Sequence, residues 1–162
     1  MKNQAGSALR FDGIDDKITT IFHIADYLAD GKTTEDIKEV RVEGLFYIEG
    51  LDDKSNLLNL FYFRQSWGNG LKLTCYAWQD FIYAEFGKIQ SSSEEINQAL
   101  SFHSWHYIQM IRTESYDILK VDGKELVKVE HDAEVIFDER DIVFEVGNFY
   151  GWVDEIGVFV EY

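Results

Sequence analysis

The sequence contains no proline and a single cysteine, Cys75. Without a second cysteine no internal disulfide can form and no cysteine-based metal cluster exists. Without proline, no proline-rich linker marks a boundary between domains. Cys75 lies in an alternating apolar run, which favours a buried, unreactive thiol over a nucleophile. We therefore expect residues 1–162 to form a single domain with a core of its own.

Basic residues are also scarce, because 15 Lys and Arg stand against 30 Asp and Glu, for a formal net charge of −15. This balance argues against binding to nucleic acid phosphates or to an anionic membrane surface. No apolar run approaches the roughly 20 residues of a membrane helix, and the chain shows no signal peptide. The chain is therefore either cytoplasmic or one domain cut from a longer secreted protein.

Short alternating runs separated by turns make up most of the sequence. In Leu71–Trp78, apolar and polar side chains alternate with the period of a half-buried strand. Helical patterns are limited to Ile24–Leu28 and Ser92–Leu100, so the sequence predicts an all-β, antiparallel two-sheet sandwich with one or two short helices. Further strands are predicted at Phe11–Thr20 (a hairpin across Asp12-Gly13), Val40–Ile48, Leu57–Arg64, Phe81–Phe86, Trp105–Arg112, Ile118–Val121, Leu126–Val129, Ile142–Val146 and Trp152–Phe159.

Four segments occur in a recognisable order: ALRFDGIDDKI, VRVEGLFYI, WHYIQMIRTESYDILKVDGKELV and VFEVGNFYGWVDEIGVFV. They resemble the opening turn, an inward-packing strand, the Trp-His strand with its Val-Asp-Gly hairpin, and the closing strands of laminin-G-like jelly-roll domains from bacterial surface proteins. The resemblance covers nearly the whole chain. It implies a concanavalin A-like jelly roll that is one domain of a larger secreted or cell-surface protein, and a structural role for His106.

In this superfamily one sheet is concave and often carries ligands, so side chains facing away from the core are candidate ligand contacts. Aromatic rings with a few polar partners suit sugars, because the rings stack on C–H faces while hydroxyl groups find hydrogen-bond partners. Alternatively, the loop at 25–39 simply covers this face. Under either interpretation, Trp105 and Trp152 are expected in the core. The alternation predicts one face that carries Lys72, Tyr76, Trp78, Tyr83, Glu85, Tyr107 and Gln109.

Carboxylates provide the candidates for catalysis and for metal binding. Glu139, Asp141 and Glu145 resemble the catalytic set of superfamily glucanases, but Asp141 and Glu145 are too far apart along a strand for the roughly 5 Å that a retaining mechanism needs. No catalytic residue is therefore predicted. The resemblance also implies a structural calcium at Asp154, although no cofactor is expected to be required. We favour the alternative that Asp154 or Glu155 pairs with a basic group or caps backbone.

Three functional hypotheses follow from these patterns. The first is a non-catalytic carbohydrate-binding module that binds a polysaccharide or glycan on the aromatic face. The second is a structural or protein–protein interaction module, with that face buried against a neighbouring domain of the same chain. The third is a glycoside hydrolase, which we consider unlikely because the spacing of the carboxylates does not suit a retaining mechanism.

Overall fold

The computed structural model of the chain describes residues 8–12, 16–50, 58–66, 69–76, 81–86, 89–92, 94–130, 140–147 and 149–162. The strands are β1 (Leu9–Asp12), β2 (Lys17–His23), β3 (Glu39–Gly50), β4 (Leu58–Ser66), β5 (Asn69–Tyr76), β6 (Phe81–Phe86), β7 (Ile89–Ser92), β8 (Trp105–Thr113), β9 (Tyr116–Val121), β10 (Lys124–Glu130), β11 (Asp141–Gly147) and β12 (Tyr150–Glu161). The helices are α1 (Glu94–Ala99) and two short 3₁₀ helices, Ile24–Tyr27 and Thr34–Asp36.

The strands form two six-stranded antiparallel sheets. Sheet A has the order β1-β12-β3-β8-β9-β10, and sheet B has the order β2-β11-β4-β5-β6-β7. The predicted all-β sandwich is confirmed, and every predicted strand falls on one of these elements as far as the described residues reach. The predicted helix begins at Glu94 rather than at Ser92, because Ser92 completes β7. Among the described residues, none of the helices has the length and hydrophobicity that a membrane-crossing helix requires.

The predicted hairpin across Asp12-Gly13 is wrong, because β1 and β2 belong to different sheets. β1 pairs with β12 in sheet A, and β2 pairs with β11 in sheet B. The chain therefore passes between the sheets at two neighbouring places, from β1 to β2 and from β11 to β12. On the N-terminal side, the backbone N–H of Asp12 donates to the Asp16 carboxylate over 2.9 Å, so an acidic side chain closes this crossing.

Two glycines on the C-terminal side of the same crossing have backbone conformations that disfavour other residues. Gly147 has φ 149° and Gly151 has φ 150°. A Cβ atom on Gly151 would collide with the carbonyl oxygen of Tyr47, and one on Gly147 would collide with the carbonyl of Asp16. The absence of a side chain therefore lets β11 and β12 approach their neighbours closely enough to pair.

The core lies between the two inner faces. Along β3, buried and half-buried positions alternate strictly from Glu39 to Glu49, as period 2 predicts for a strand with one face inside. Phe149 stacks on Phe11 at 5.2 Å between ring centroids, which packs the closing and opening strands against each other. The largest fully buried side chains are Phe46, Phe63, Phe86, Phe149, Ile24, Ile48, Leu60, Leu71 and Leu73.

A buried ion pair connects the sheets within this apolar interior. The Arg112 guanidinium on β8 donates to both carboxylate oxygens of Asp117 on β9, over 2.7 and 2.9 Å, and to the carbonyl of Gly70 on β5 over 3.3 Å. Arg112 is 4% exposed and Asp117 is 1% exposed. Because each charge is desolvated, each depends on the other for compensation.

A second polar cluster anchors the β9–β10 turn to β8. The ring of His106, which is buried, lies 2.8 Å from the Asp122 carboxylate through Nδ1 and 3.0 Å from the carbonyl of Ser101 through Nε2. Asp122 also accepts from the backbone N–H of Tyr107 over 2.8 Å. With φ 53° at Asp122 and 79° at Gly123, the predicted Val-Asp-Gly hairpin has the left-handed turn that suits two-residue connections. His106 thus has structural hydrogen bonds, as the resemblance implied.

We expect the substitution Asp117→Asn to lower the free energy of unfolding by about 3–5 kcal/mol, because it removes the carboxylate that faces the buried Arg112 guanidinium. Urea denaturation monitored by tryptophan fluorescence measures the change. The matched control is Asp141→Asn, which removes an exposed carboxylate paired with His23 and should cost less than about 1 kcal/mol. The combined change Arg112→Met with Asp117→Leu should be less destabilising than Asp117→Asn. Equal losses in Asp117→Asn and Asp141→Asn would contradict this expectation.

Candidate functional site

The seven predicted ligand contacts do not share one face. Tyr107 and Gln109 lie on β8 in sheet A, whereas Lys72, Tyr76, Tyr83 and Glu85 lie on β5 and β6 in sheet B. Trp78 lies outside the described residues. Strand alternation fixes which side of its own sheet a residue occupies, but it does not fix which sheet the strand joins, and the prediction of a single face is corrected for that reason.

The sheet B group is built around one ion pair. Lys72 and Glu85 are register partners on β5 and β6, and Lys72 Nζ lies 3.4 Å from the Glu85 carboxylate. In the same two strands Tyr83 pairs with Thr74 and Tyr76 pairs with Phe81. The backbone therefore brings four of the seven predicted positions onto adjacent strands.

On the outer face of sheet A, three aromatic side chains occupy register positions on three neighbouring strands. Trp152 on β12 pairs with Tyr47 on β3, and Tyr47 pairs with Trp105 on β8. The Tyr47 and Trp105 rings are 5.6 Å apart and tilted by 50°. Adjacent strands are separated by about 4.8 Å, so this aromatic row spans about 10 Å across the sheet.

Two members of the aromatic row were expected in the core, and that expectation is wrong. Trp105 is 47% exposed and Trp152 is half-buried. The sequence contained the signal for this arrangement. The parity that places Ile108 inside and Tyr107 outside also places Trp105 outside, and an inward Val153 places Trp152 outside.

One end of the aromatic row is flanked by a charged pair. The Arg10 guanidinium on β1 lies over the Trp152 ring at 5.6 Å from its centroid. Trp152 Nε1 donates to the Glu49 carboxylate over 3.4 Å, and Arg10 lies 3.9 Å from the same carboxylate. The Trp152 ring is therefore held between a cation and an acceptor.

A polar network lies beside the aromatic row on the same face, formed by Arg41, Glu43, Tyr107 and Gln109. Arg41 Nε and Gln109 Nε2 both donate to Glu43 Oε2, over 2.7 and 2.8 Å. Gln109 Nε2 also lies 3.4 Å from the Tyr107 hydroxyl. Two of the predicted contacts, Tyr107 and Gln109, are thus joined to residues of β3 that alternation along Val40–Ile48 also placed outside.

The network shifts the pKa of its two acidic members in opposite directions. Burial of the Glu43 carboxylate, the largest single influence, raises its pKa, but hydrogen bonds from Tyr107 and Gln109 and the charge of Arg41 outweigh it, so the pKa falls below the ordinary 4.5. Burial, followed by the hydrogen bond to Glu43 and the Glu43 charge, raises the pKa of Tyr107 above 10.0. At neutral pH the face therefore presents a carboxylate and a protonated phenol.

The loop at 25–39 was the alternative cover for the predicted face. Two of its backbone hydrogen bonds reach the end of β12: Ala29 N–H donates to the Tyr162 hydroxyl over 3.3 Å, and Lys38 N–H donates to the carbonyl of Glu161 over 2.8 Å. Lys32 Nζ lies over the Tyr162 ring at 5.9 Å. These contacts hold the loop against the last residues of the chain.

Asp154, the candidate calcium ligand, accepts a hydrogen bond from the backbone N–H of Glu155 over 2.9 Å. Glu155 has φ 51° and lies in a bulge where β12 gains one residue relative to β3. Within the described residues, His, Cys, Asp and Glu side chains do not gather in groups of three or more that could hold a metal ion. Calcium binding at Asp154 stays a prediction.

Of the glucanase-like carboxylates, two lie on the outer side of β11 and the third, Glu139, lies outside the described residues. Asp141 is 2.8 Å from His23 Nε2. Glu145 accepts from Lys17 over 3.2 Å and from the Thr19 hydroxyl over 3.3 Å. Both carboxylates are thus engaged by the neighbouring edge strand β2.

Ser101, His106 and Asp122 have the connectivity of a nucleophile, a base and an orienting acid. Ser101 Oγ is 3.2 Å from His106 Nε2, and Nδ1 is 2.8 Å from Asp122. However, the Ser101 carbonyl oxygen is closer to Nε2, at 3.0 Å, and a carbonyl can only accept. The carbonyl contact is satisfied only when Nε2 carries a proton, and in that form Nε2 cannot remove a proton from the hydroxyl.

Neither a protein-family model nor a curated protein sequence matches this chain. Solved structures do match it. Domains LG4–5 of the mouse laminin α1 chain have a TM-score of 0.60 at 16% identity, over 95% of this chain and 41% of that one. The binding domain of botulinum neurotoxin serotype D has a TM-score of 0.60 at 15% identity, over 90% and 37%. The binding domain of botulinum neurotoxin DC in complex with SialylT has a TM-score of 0.52 at 10% identity, over 95% of this chain and 41% of that one.

This chain therefore spans about two fifths of the length of each of these structures. At these identities the likeness establishes the fold, and the laminin-G-like jelly roll that the sequence segments predicted is confirmed.

We expect acidification to destabilise the wild-type chain more than the variant Glu43→Gln, by on the order of 1 kcal/mol. Because the folded pKa of Glu43 lies below 4.5, its stabilising contribution is present above that value and is lost as the pH falls through the lower, folded pKa. Urea denaturation of both proteins at pH 7, 4.5 and 3 measures the difference, since all other carboxylates titrate in both. Equal losses of unfolding free energy in the two proteins would contradict the lowered pKa of Glu43.

Proposed function

We propose that the chain is a non-catalytic carbohydrate-binding module whose ligand lies on the outer face of sheet A. The observation that carries this proposal is the aromatic row of Trp152, Tyr47 and Trp105, with the polar network beside it. Rings on three adjacent strands offer an apolar stacking surface for the C–H faces of sugar residues. Backbone pairing on both sides of β3 fixes their spacing, so the surface is ready before the ligand arrives.

The polar network supplies the hydrogen-bonding partners that a stacking surface lacks. Gln109 directs its amide nitrogen at Glu43 and Tyr107, which leaves its carbonyl oxygen as an acceptor for a sugar hydroxyl. At the other end of the row, Glu49 offers a carboxylate beside Trp152. A few fixed polar groups around an apolar platform are the usual means by which a site orients a ligand.

The absence of catalysis is part of the proposal and is supported by the state of the candidate groups. Asp141 and Glu145 are engaged by β2, and Nε2 of His106 faces a carbonyl that only accepts. The structural neighbours point the same way, because the toxin structures are binding domains, and cell entry of botulinum neurotoxin type C depends on two ganglioside molecules. Because the chain spans about two fifths of these neighbours, we also propose that it is one domain of a longer secreted or cell-surface protein.

A protein-interaction module is the second candidate, and exposed apolar side chains favour it. Leu9 on β1 is 56% exposed and Ile21 on β2 is 63% exposed, on strands that form the edges of the two sheets. An apolar edge of this kind suits a neighbouring domain of the same chain rather than a sugar.

We expect Trp105→Ala and Tyr47→Ala each to weaken glycan binding at least tenfold, about 1.4 kcal/mol, because each removes part of the stacking surface. A glycan array identifies a bound oligosaccharide, and isothermal titration with that oligosaccharide measures the loss. The matched control is Tyr116→Ala, a partly exposed tyrosine near the opposite edge of sheet A, which should bind as the wild type does.

The sheet B residues provide the competing location. If Tyr83→Ala or Lys72→Ala abolishes binding while Trp105→Ala leaves it unchanged, the ligand lies on sheet B and the proposed face is wrong. If the array shows no glycan above background, the carbohydrate proposal fails and the interaction module remains.

A further inference from the structure

Arg41 is the cation of the polar network on the outer face of sheet A, and carboxylates surround it. Its guanidinium lies 2.7 Å from Glu43, 3.0 Å from Glu39 and 3.6 Å from Glu161. The Phe159 ring lies beneath it at 5.1 Å from the ring centroid. Three carboxylates and one ring therefore surround a single positive charge.

A second cation on this face, Arg10, is held more loosely, because its exposed guanidinium lies 3.9 Å from Glu49 and over the Trp152 ring. Lys120 on β9, the register partner of Gln109, is a third cation on this face. Together the three cations stand among five carboxylates, Glu39, Glu43, Glu49, Asp154 and Glu161, so this part of the face carries an excess of two negative charges. An approaching carboxylate or sulfate group would meet this excess and would find the Arg41 guanidinium already surrounded by carboxylates.

We propose that Glu43 and Glu39 set the charge class of the ligand, so that the face admits neutral and amine-bearing glycans and rejects anionic ones. This inference rests on the proposed function. Arginine is the residue that most readily binds carboxylate and sulfate groups, through its planar fork of donors. Glu43 occupies Nε and Glu39 occupies one terminal nitrogen of that fork, so the chain supplies its own anions to Arg41.

Glu43 is also the point where charge selection meets hydrogen bonding. The same Oε2 atom accepts from Arg41 and from Gln109, so the carboxylate holds the cation and orients the amide that would contact a sugar. A neutral hydroxyl can approach Gln109 without penalty, and an ammonium group gains from the surrounding carboxylates.

The first experiment compares glycan classes on the wild-type chain. An array carrying neutral, amine-bearing, sialylated, sulfated and uronic-acid oligosaccharides should show binding only in the first two classes, lost in Trp105→Ala. Binding of an anionic glycan that is lost in Trp105→Ala would overturn the inference while supporting the proposed function. Binding of no glycan would remove both.

The second experiment releases Arg41. The variant Glu39→Gln with Glu43→Gln should bind an anionic oligosaccharide from the array at least about tenfold more tightly than the wild type does, and adding Arg41→Gln should abolish the gain. The control, Glu125→Gln with Glu130→Gln on β10, removes the same charge at positions that do not hold Arg41. Equal gains in the variant and the control, or no gain in the variant, would overturn the role assigned to Glu39 and Glu43. Thermal denaturation confirms that each protein is folded.

Discussion

The hydrogen bonds of His106 determine the arrangement on which the rest of sheet A depends. Asp122 binds the ring at Nδ1 and the Ser101 carbonyl binds it at Nε2, so the imidazole is fixed on the inner side of β8. Because successive residues of a strand face opposite sides, Trp105 and Tyr107 must then face outward. The same carboxylate accepts from the backbone N–H of Tyr107, so the contacts of one histidine also tie the β9–β10 turn to β8, next to the proposed binding face.

The interior also contains a buried ion pair. The pairing of Arg112 with Asp117 places full charges where the surroundings are apolar, and the contact with the Gly70 carbonyl ties that pair to the other sheet. Such a pair contributes little net stability compared with apolar residues of the same size, but it tolerates few alternative alignments. Its contact with Gly70 links β8 to β5, so the pair adds a directional polar contact to the apolar packing that holds the two sheets together.

Much of the fold could be predicted from the sequence, because alternation and turn residues are local signals. The strict pattern of β3 and the Asp122-Gly123 turn are examples that the structure confirms. Sheet membership is not local. Nothing near Lys72 or Gln109 indicates that one belongs to sheet B and the other to sheet A, since that depends on strands paired from distant parts of the chain. The predicted site was therefore divided, while Tyr107 and Gln109 were placed on the correct side of their strand.

β12 is the last of the described strands along the chain, yet it lies between β1 and β3 in sheet A. Leu9 pairs with Val153, so during synthesis on the ribosome the first strand waits for the last one. Until then β3 has a free edge, which is the kind of surface that favours aggregation and engages chaperones. The aromatic row draws on β12, β3 and β8, so the surface that would hold a sugar forms only when the final strand has joined its sheet.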